Sequence, residues 1–186
     1  MNSSPLVPVA SDGPGFPRWT ETLRNNRQVV IRPITPLDKA AEREFIEGLS
    51  TEARHFRFLG AVRSPSDAMI DKLTRIDHVH DVAFAAVAAD DAGERFVGVS
   101  RYGTDADGRS CECAVTISDG WQGHGLGTIL MGHLIDVARA RGIETMYSMD
   151  SAENTRMHDL AKALGFHTRP DPDDATQVIH QLALQD

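Results

Sequence analysis

The sequence is poor in cysteine and contains no long hydrophobic run. Its 186 residues include only two cysteines, Cys111 and Cys113, which are too few for a disulfide framework and favour a reducing cytoplasm. No apolar run approaches the ~20 residues of a membrane-spanning helix, and the first residues lack the basic and then apolar pattern of a secretory signal. We therefore expect a cytoplasmic protein without a membrane partner.

Positive charge is also scarce. The chain carries 19 Lys and Arg residues against 27 Asp and Glu residues, a formal net charge of −8. A protein that binds nucleic acid through its phosphates normally presents a basic face, so this charge argues against a nucleic-acid partner. An acidic protein is compatible with a cationic substrate such as an amine.

The length of the chain and its proline distribution predict one folded domain after a short leader. Residues 1–18 contain Pro5, Pro8, Pro14 and Pro17 among small residues, a composition typical of disorder. The remaining residues, 19–186, are enough for a single domain with a substantial core.

Hydrophobic periodicity in residues 19–186 indicates strands and helices in mixed order. Alternating or continuous apolar segments predict strands at 19–23, 28–32, 81–89, 95–104, 109–118, 144–149, 167–169 and 177–184. Helical spacing predicts helices over 37–49, 51–59, 66–75, 124–141 and 154–164. Short turns join several of the strands, so we expect a mixed α/β (α+β) fold with one predominantly antiparallel sheet.

The most informative segment is the glycine-rich stretch from Val115 to Thr128, V-T-I-S-D-G-W-Q-G-H-G-L-G-T. It sets a predicted strand directly against a turn that opens a predicted helix. Glycines at 123, 125 and 127 allow backbone N–H groups to close around a phosphate oxygen. The following helix directs its positive dipole end and its unpaired N–H groups at the same anion. The segment therefore predicts a site for a phosphate-bearing cofactor.

Three other interpretations of this glycine-rich turn are a dinucleotide fingerprint, a P-loop and a tight turn without a ligand. A dinucleotide fingerprint, G-x-G-x-x-G, requires glycine where this chain has Thr128. A P-loop requires lysine before Ser or Thr, and Gly127-Thr128 has none. Glycines that serve only a tight turn remain the third alternative.

Two signatures give the chain a family resemblance. Gln122, Gly125 and Gly127 fit the spacing Q/R-x-x-G-x-G/A, and Asn154 is followed by Leu160-Ala161-Lys162-Ala163-Leu164-Gly165-Phe166. Both resemble the signatures of the GNAT N-acetyltransferase superfamily. The resemblance implies acetyl-CoA as co-substrate, no metal, and a central sheet of six to seven strands flanked by four to five helices. The cofactor-binding residues it implies are Val115, Thr116, Ile117, Gln122, Gly123, His124, Gly125, Leu126, Gly127, Thr128 and Asn154.

Further segments narrow the resemblance. Ile31-Arg32-Pro33-Ile34, Leu49-Ser50-Thr51-Glu52, Val99-Ser100-Arg101-Tyr102 and Glu112-Cys113-Ala114-Val115 are similar to the acetyltransferase domain of bacterial protein-lysine acetyltransferases. This similarity implies a protein lysine as acceptor, Glu112 as general base, and a monomer or homodimer. A small-molecule amine as acceptor, or a non-catalytic acetyl-CoA sensor, remain the alternatives.

The chemistry explains why a base is needed. A lysine amine has a reference pKa near 10.4, so at pH 7 about one molecule in ~2,500 is neutral, a handicap of roughly 4.6 kcal/mol. In the sequence, Glu112 lies close to Ala114 and two cysteines. We expect these apolar surroundings to raise the pKa of its carboxyl group, which suits a general base. The amine would then attack the thioester in a ternary complex, while a strand N–H near Ile117 or Ser118 stabilises the developing oxyanion.

The sequence departs from the superfamily at one position. Many GNAT enzymes carry a tyrosine that protonates the departing thiolate, and the matching residue here is Ala161. Tyr147, Ser148 and His158 are candidate replacements because their segments lie nearby in the expected fold.

One further segment resembles a metal-binding cluster. Asp77-His78-Val79-His80-Asp81 contains four metal-ligand residue types, but a polar loop before a strand explains the segment better. We predict no metal site.

Overall fold

A computed structural model of the protein describes residues 18–60 and 64–185. The elements follow each other as β1 (Trp19–Thr22), β2 (Gln28–Pro33), a 3-10 turn (Pro36–Asp38), α1 (Lys39–Glu47), α2 (Thr51–Phe58), α3 (Asp67–Thr74), β3 (Asp81–Asp90), β4 (Gly93–Thr104), β5 (Ser110–Ile117), a second 3-10 turn (Asp119–Trp121), α4 (Leu126–Ala140), β6 (Thr145–Ser151), α5 (Thr155–Ala163), β7 (His167–Pro170) and β8 (Gln177–Ala183).

The strands form one sheet in the order β1-β2-β3-β4-β5-β6-β8-β7. Every neighbouring pair is antiparallel except β5 and β6, which run parallel. The mixed, mainly antiparallel fold is confirmed, as are the five α-helices among the described residues. The expected six to seven strands were too few, because both the short first hairpin and the short β7 pair into the same sheet and bring it to eight strands.

Local signals explain where the helices begin and end. The Ser50 and Ser66 hydroxyls accept hydrogen bonds from the N–H groups of Ala53 and Met69, so each serine caps the helix that follows it. Gly142 and Gly165 follow α4 and α5 with positive φ, a conformation that glycine adopts without a steric penalty.

The sheet is covered on both faces. On one face, α4 and α5 pack their apolar side chains against the sheet, with Leu130 of α4 and Phe84 of β3 both fully buried. On the other face, Ile46 of α1 and Ile70 of α3 pack against alternate residues of β3 such as Ala85. Because successive side chains of β3 point to opposite faces and both faces are buried, the strand reads as a continuous apolar run in the sequence.

The predicted leader lies outside the described residues except for Arg18, which forms an isolated bridge at the start of β1. Within residues 18–60 and 64–185, no helix has the length and hydropathy that a membrane crossing requires.

Candidate active site

The sheet opens between its two parallel strands. β5 and β6 pair only at Ser110, Cys111 and Glu112, opposite Thr145, Met146 and Tyr147, and they separate beyond this point. Ser118 donates its N–H to Val97 of β4, at 2.9 Å, so by strand alternation the N–H groups of Ile117 and Val115 point away from β4 and into the opening. The opening therefore presents unpaired strand amides to a ligand.

The glycine turn lies at the wide end of this opening. Gly123 and Gly125 adopt φ values of +78° and +90°, which L-residues with a side chain rarely adopt. Gln122 donates its side-chain amide to the carbonyl of Ile117 at 3.0 Å and so fastens the turn to the end of β5. Glycine is therefore required at positions 123 and 125 by backbone conformation.

The start of α4 offers an anion site. Gly125 occupies its N-cap position, no side chain caps the helix, and its first turn holds no acidic residue. The first N–H groups of the helix are thus available to an anion. The Arg24 side chain lies against Gly125, since a Cβ placed there would stand 3.5 Å from Nε of Arg24. Arg24 comes from the hairpin between β1 and β2, and no motif along the chain predicts that it reaches this turn.

A cleft of about 1050 Å³ joins the opening in the sheet to the glycine turn. Its lining includes Glu112 and all the predicted cofactor-binding residues other than His124. The carbonyl oxygen of His124 accepts the backbone N–H of Arg24 at 3.3 Å, and the binding of the cofactor by His124 stays a prediction. Oγ1 of Thr116 and Oε1 of Gln122 are buried without a hydrogen-bond partner among the described residues. Buried polar atoms of this kind normally have partners, so the cleft suits a polar ligand as large as acetyl-CoA.

The side chains of β5 divide between the two faces of the sheet, as the alternation predicts. Cys111 and Cys113 belong to the core on the α4 side, and Glu112 lies on the face that α2 covers. Glu112 is exposed in the cleft and makes no hydrogen bond or ion pair with any described residue. The expectation of apolar surroundings for its carboxylate was therefore wrong, because the neighbouring cysteines point to the opposite face.

Two arginines and a glutamate lie on the same face as Glu112. Arg101 donates to the buried Glu42 carboxylate of α1 at 2.9 Å. Burial raises the pKa of Glu42, and the Arg101 charge opposes this rise. Burial, together with the repulsion from Arg101, lowers the pKa of Arg57 on α2 to about 10, against the opposing attraction of Glu42, Glu112 and Asp150. Arg57 thus remains a cation within electrostatic reach of the Glu112 carboxylate.

The helix α2, which carries Arg57, is tied to the segment before the glycine turn. The Asp119 carboxylate accepts hydrogen bonds from the N–H and hydroxyl of Ser50, at 2.9 and 2.8 Å. The pKa of Asp119 is lowered because these hydrogen bonds outweigh the effect of its partial burial. The start of α2 is thereby linked to the segment that precedes the glycine turn.

The two expected oxyanion donors, the N–H groups of Ile117 and Ser118, differ in their partners. The Ser118 N–H is already engaged with Val97 and is not available to a ligand. The Ile117 N–H points into the opening, so of the two groups only the Ile117 N–H is placed to meet a ligand there.

The candidate proton donors lie in different places. Tyr147 is the register partner of Glu112 and donates to Asp105 at 3.2 Å, and its burial and the neighbouring carboxylate raise its pKa to about 12. Ser148 is buried on the opposite face, the face that α4 and α5 cover, and donates to Asp150 at 2.6 Å. His158 lies on α5 with its ring at 5.1 Å from that of His180. Ala161 of α5 is fully buried.

Asn154 lies at the start of α5 and lines the cleft. Its side-chain oxygen accepts the N–H of Met157 at 3.2 Å, so it caps the helix.

The polar loop before β3 is a structural turn. One carboxylate oxygen of Asp77 accepts the N–H groups of Val79, His80 and Asp81, at 2.8 to 2.9 Å. These hydrogen bonds hold the pKa of Asp77 well below its usual range. Among the residues that the structure describes, no group of three or more potential metal ligands comes together.

Comparison with known proteins identifies the family. The model of the acetyltransferase (GNAT) family matches residues 46–166. The chain belongs to the GNAT family. It is 52% identical over 166 residues to Acetyltransferase PA5475 of Pseudomonas aeruginosa, with 89% of each chain covered. It is 28% identical over 147 residues to Acetyltransferase Pat of Mycolicibacterium smegmatis, covering 77% of this chain and 42% of Pat, so it spans less than half of that relative.

Solved structures agree with this assignment. The GNAT domain of PAT from S. lividans superimposes with a TM-score of 0.80 at 26% identity, covering 89% of this chain and 96% of that domain. The Salmonella typhimurium protein yncA, determined with its cofactor acetyl-CoA, shares the fold with a TM-score of 0.68 at 20% identity, covering 85% of this chain and 95% of yncA. The protein is thus an acyltransferase enzyme of a family that uses acetyl-CoA.

Proposed function

We propose that this enzyme transfers an acetyl group from acetyl-CoA to the side-chain amine of a protein lysine, by direct attack in a ternary complex with Glu112 as general base. The observation that carries the proposal is the position of Glu112. Its exposed carboxylate lies in the same cleft as the glycine turn, on the last residue that pairs before β5 and β6 separate.

The residues of the cleft have separate tasks in this proposal. The glycine turn and the N-terminus of α4 hold the diphosphate of acetyl-CoA, with Arg24 adding positive charge. The N–H of Ile117 stabilises the negative charge that develops on the thioester carbonyl oxygen. Glu112 accepts the amine proton directly or through one water. An acceptor that covers the exposed Glu112 would remove water from it and raise its basicity.

The walls of the cleft beside Glu112 support a lysine side chain as acceptor. Phe56 and Leu59, at the end of α2, line the cleft, as does Met149 of β6. Leu59 and Met149 are among the exposed large apolar residues, at 42% and 37% exposure. An apolar wall that leads to a carboxylate is complementary to lysine, which has an apolar stem and a cationic end.

The acceptor class is tested by incubating the enzyme and acetyl-CoA with a cytosolic protein extract and counting newly acetylated lysines by mass spectrometry. We expect many new sites with the wild type and few with Glu112→Gln. Glu94→Gln removes a similar charge at an exposed position outside the cleft and should acetylate like the wild type. No protein acetylation, combined with turnover on free amino acids, polyamines or aminoglycosides, would contradict the lysine proposal and establish a small-molecule acceptor.

Catalysis itself is tested separately from binding. Glu112→Gln should still bind acetyl-CoA in a calorimeter while its turnover falls by about a hundredfold or more. A wild-type enzyme that binds acetyl-CoA and shows no turnover on any amine would instead indicate a sensor. We place the enzyme in a compartment that keeps thiols reduced, as suits its two free cysteines.

A further inference from the structure

A group of polar side chains meets in the otherwise apolar layer between the sheet and α5, two of them buried and one, Thr168, exposed. Ser148 and Asp150 come from β6, Thr168 from β7, His180 from β8, and His158 from α5. Ser148 and His180 are almost completely buried, and the exposed fraction of the Asp150 side chain is 15%. We call these five residues the β6–β8 polar cluster. Buried polar groups of this number need a structural or a functional reason.

The contacts within the cluster lead to Asp150. Its Oδ2 atom accepts the Ser148 hydroxyl at 2.6 Å and lies 3.8 Å from Nε2 of His180. Nδ1 of His180 is 2.7 Å from the Thr168 hydroxyl. The tautomer that suits this geometry accepts the Thr168 hydroxyl at Nδ1 and carries its proton on Nε2, toward Asp150.

The cluster is not fully satisfied within the protein. Nε2 of His158 and Nε2 of His180 are buried without a hydrogen-bond partner among the described residues. A buried polar atom left without a partner costs about 1–3 kcal/mol. A purely structural cluster gains nothing from this cost, whereas a proton-transfer group needs sites that can accept and release protons.

Asp150 connects the cluster to the cleft. Within the cluster it alone is a lining residue of the cleft that holds the glycine turn. Its neighbour in the cluster, Ser148, faces the α5 side of the sheet, where Ala161 replaces the tyrosine of many family members. Glu112 lies on the opposite face. Among the carboxylates that line the cleft, Glu112 and Asp150 thus come from opposite faces of the sheet.

We propose that Asp150 is a catalytic residue that protonates the departing thiolate of CoA, and that His180 is a positioning residue that returns the proton to Asp150. This inference rests on the proposed function, because it supplies the proton donor that the acetyl transfer lacks at position 161. Asp150 takes the place of the candidate proton donors named from the sequence. Ser148 instead holds Asp150, and Tyr147 lies on the other face of the sheet.

The proton and electron balance is complete. The amine nitrogen forms a bond to the acetyl carbon and gives its proton to Glu112. The bond between carbon and sulfur breaks, its electron pair goes to the sulfur, and the Asp150 carboxyl gives the sulfur a proton. Asp150 remains as a carboxylate beside His180, and Glu112 remains protonated. Glu112 then gives its proton to water. Nε2 of His180 gives a proton to Asp150 while Nδ1 takes one from the exposed Thr168 hydroxyl, which regains it from water.

The charges around Asp150 come from every neighbouring element. The groups that interact electrostatically with Asp150 are His180 of β8, Arg57 of α2 and the Cys113 thiol of β5, while His158 of α5 acts on His180. Burial lowers the pKa of His180, an effect that the Asp150 charge opposes and His158 reinforces. Burial thus disfavours the imidazolium form of His180.

The direct test measures the pKa of the CoA thiol while CoA is bound to the enzyme without any acceptor. Thiolate absorbance in the ultraviolet, followed against pH, gives the pKa of the bound thiol. A carboxylate beside the sulfur raises this pKa, so Asp150→Asn should lower it by about one unit or more, a tenfold change in thiolate fraction at a given pH. Asp136→Asn, an exposed substitution on α4 with the same loss of charge, should titrate like the wild type.

The outcomes decide the proposal. A bound-thiol pKa that is the same in Asp150→Asn and in the wild type overturns it, whatever the acceptor proves to be. If lysine acetylation fails but the thiol pKa shifts as expected, the proposed acceptor is wrong and Asp150 keeps its role. Turnover in Asp150→Asn should fall by about a hundredfold with the acetyl-CoA affinity retained.

His180→Gln is the second variant, because it keeps the Asp150 carboxylate and covers the case in which Asp150→Asn does not fold. It should lower turnover about tenfold and shift the basic limb of the pH profile, while the bound-thiol pKa stays as in the wild type. A pH profile and turnover equal to those of the wild type would overturn the role of His180.

Discussion

The glycine turn makes a quantitative prediction at Gly125. Its φ of +90° lies in the region where a residue with a Cβ is strained, so Gly125→Ala should cost about 1–2 kcal/mol. Space is not the problem, since the nearest atom to the new Cβ is Nε of Arg24 at 3.5 Å, an ordinary contact. The penalty is therefore one of backbone conformation.

This penalty divides between stability and binding. If the turn keeps its shape without a ligand, the strain is present in the free protein and lowers the unfolding free energy, equivalent to about 2–8 °C in melting temperature. If the turn relaxes in the free protein, acetyl-CoA must impose the strained shape on binding, and the dissociation constant rises by up to about 30-fold. The two losses should sum to the same 1–2 kcal/mol.

Urea unfolding and calorimetric titration with acetyl-CoA measure the two parts. Gly132→Ala is the matched control, because Gly132 lies inside α4 and a Cβ there would meet nothing within 4 Å. This control should stabilise the protein by about 0.5–1 kcal/mol and leave binding unchanged. A Gly125→Ala protein that unfolds and binds acetyl-CoA like the wild type would refute the reasoning about the turn.

Three further predictions concern the cofactor site, the core and the response to acid. Arg24→Gln should weaken acetyl-CoA binding about tenfold in calorimetry, with a smaller loss at high salt, since it removes a charged donor beside the turn. Gly98→Ala should destabilise the protein by about 1–3 kcal/mol in urea unfolding, because its Cβ would stand 2.9 Å from Leu130. The pKa of Asp38 is lowered because its hydrogen bonds, chiefly from Arg32, outweigh burial. Stability should therefore fall as the pH drops below the ordinary value of 3.8, and Asp38→Asn should flatten this loss.

Much of the fold was predictable because its signals are local. The apolar run of β3, the serine caps of α2 and α3, and the glycines that follow α4 and α5 depend on neighbours within a few residues. The same holds for the glycine turn, whose positive φ values require glycine wherever the rest of the chain lies. These local signals also carried the family resemblance, which the comparisons confirmed.

The surroundings of the site were less accessible to the sequence. Because side chains alternate along β5, Glu112 and the two cysteines lie on opposite faces of the sheet. Their proximity in the sequence therefore does not give Glu112 apolar surroundings. Residues on opposite faces of a strand do not share an environment, and Glu112 is exposed. The engagement of the Ser118 N–H with Val97 depended in the same way on the pairing of β5 with β4.

The sequence by itself determined the family, the order of the helices and strands, and the turn that suits a diphosphate, because periodicity and backbone conformation are properties of short segments. Only the tertiary structure decided where β5 and β6 separate, and that Arg24, Arg57 and Asp150 line this opening from three distant segments, with the buried His180 beside Asp150. Contacts of this kind follow from how the sheet and helices pack, and they cannot be predicted from the spacing of residues along the chain.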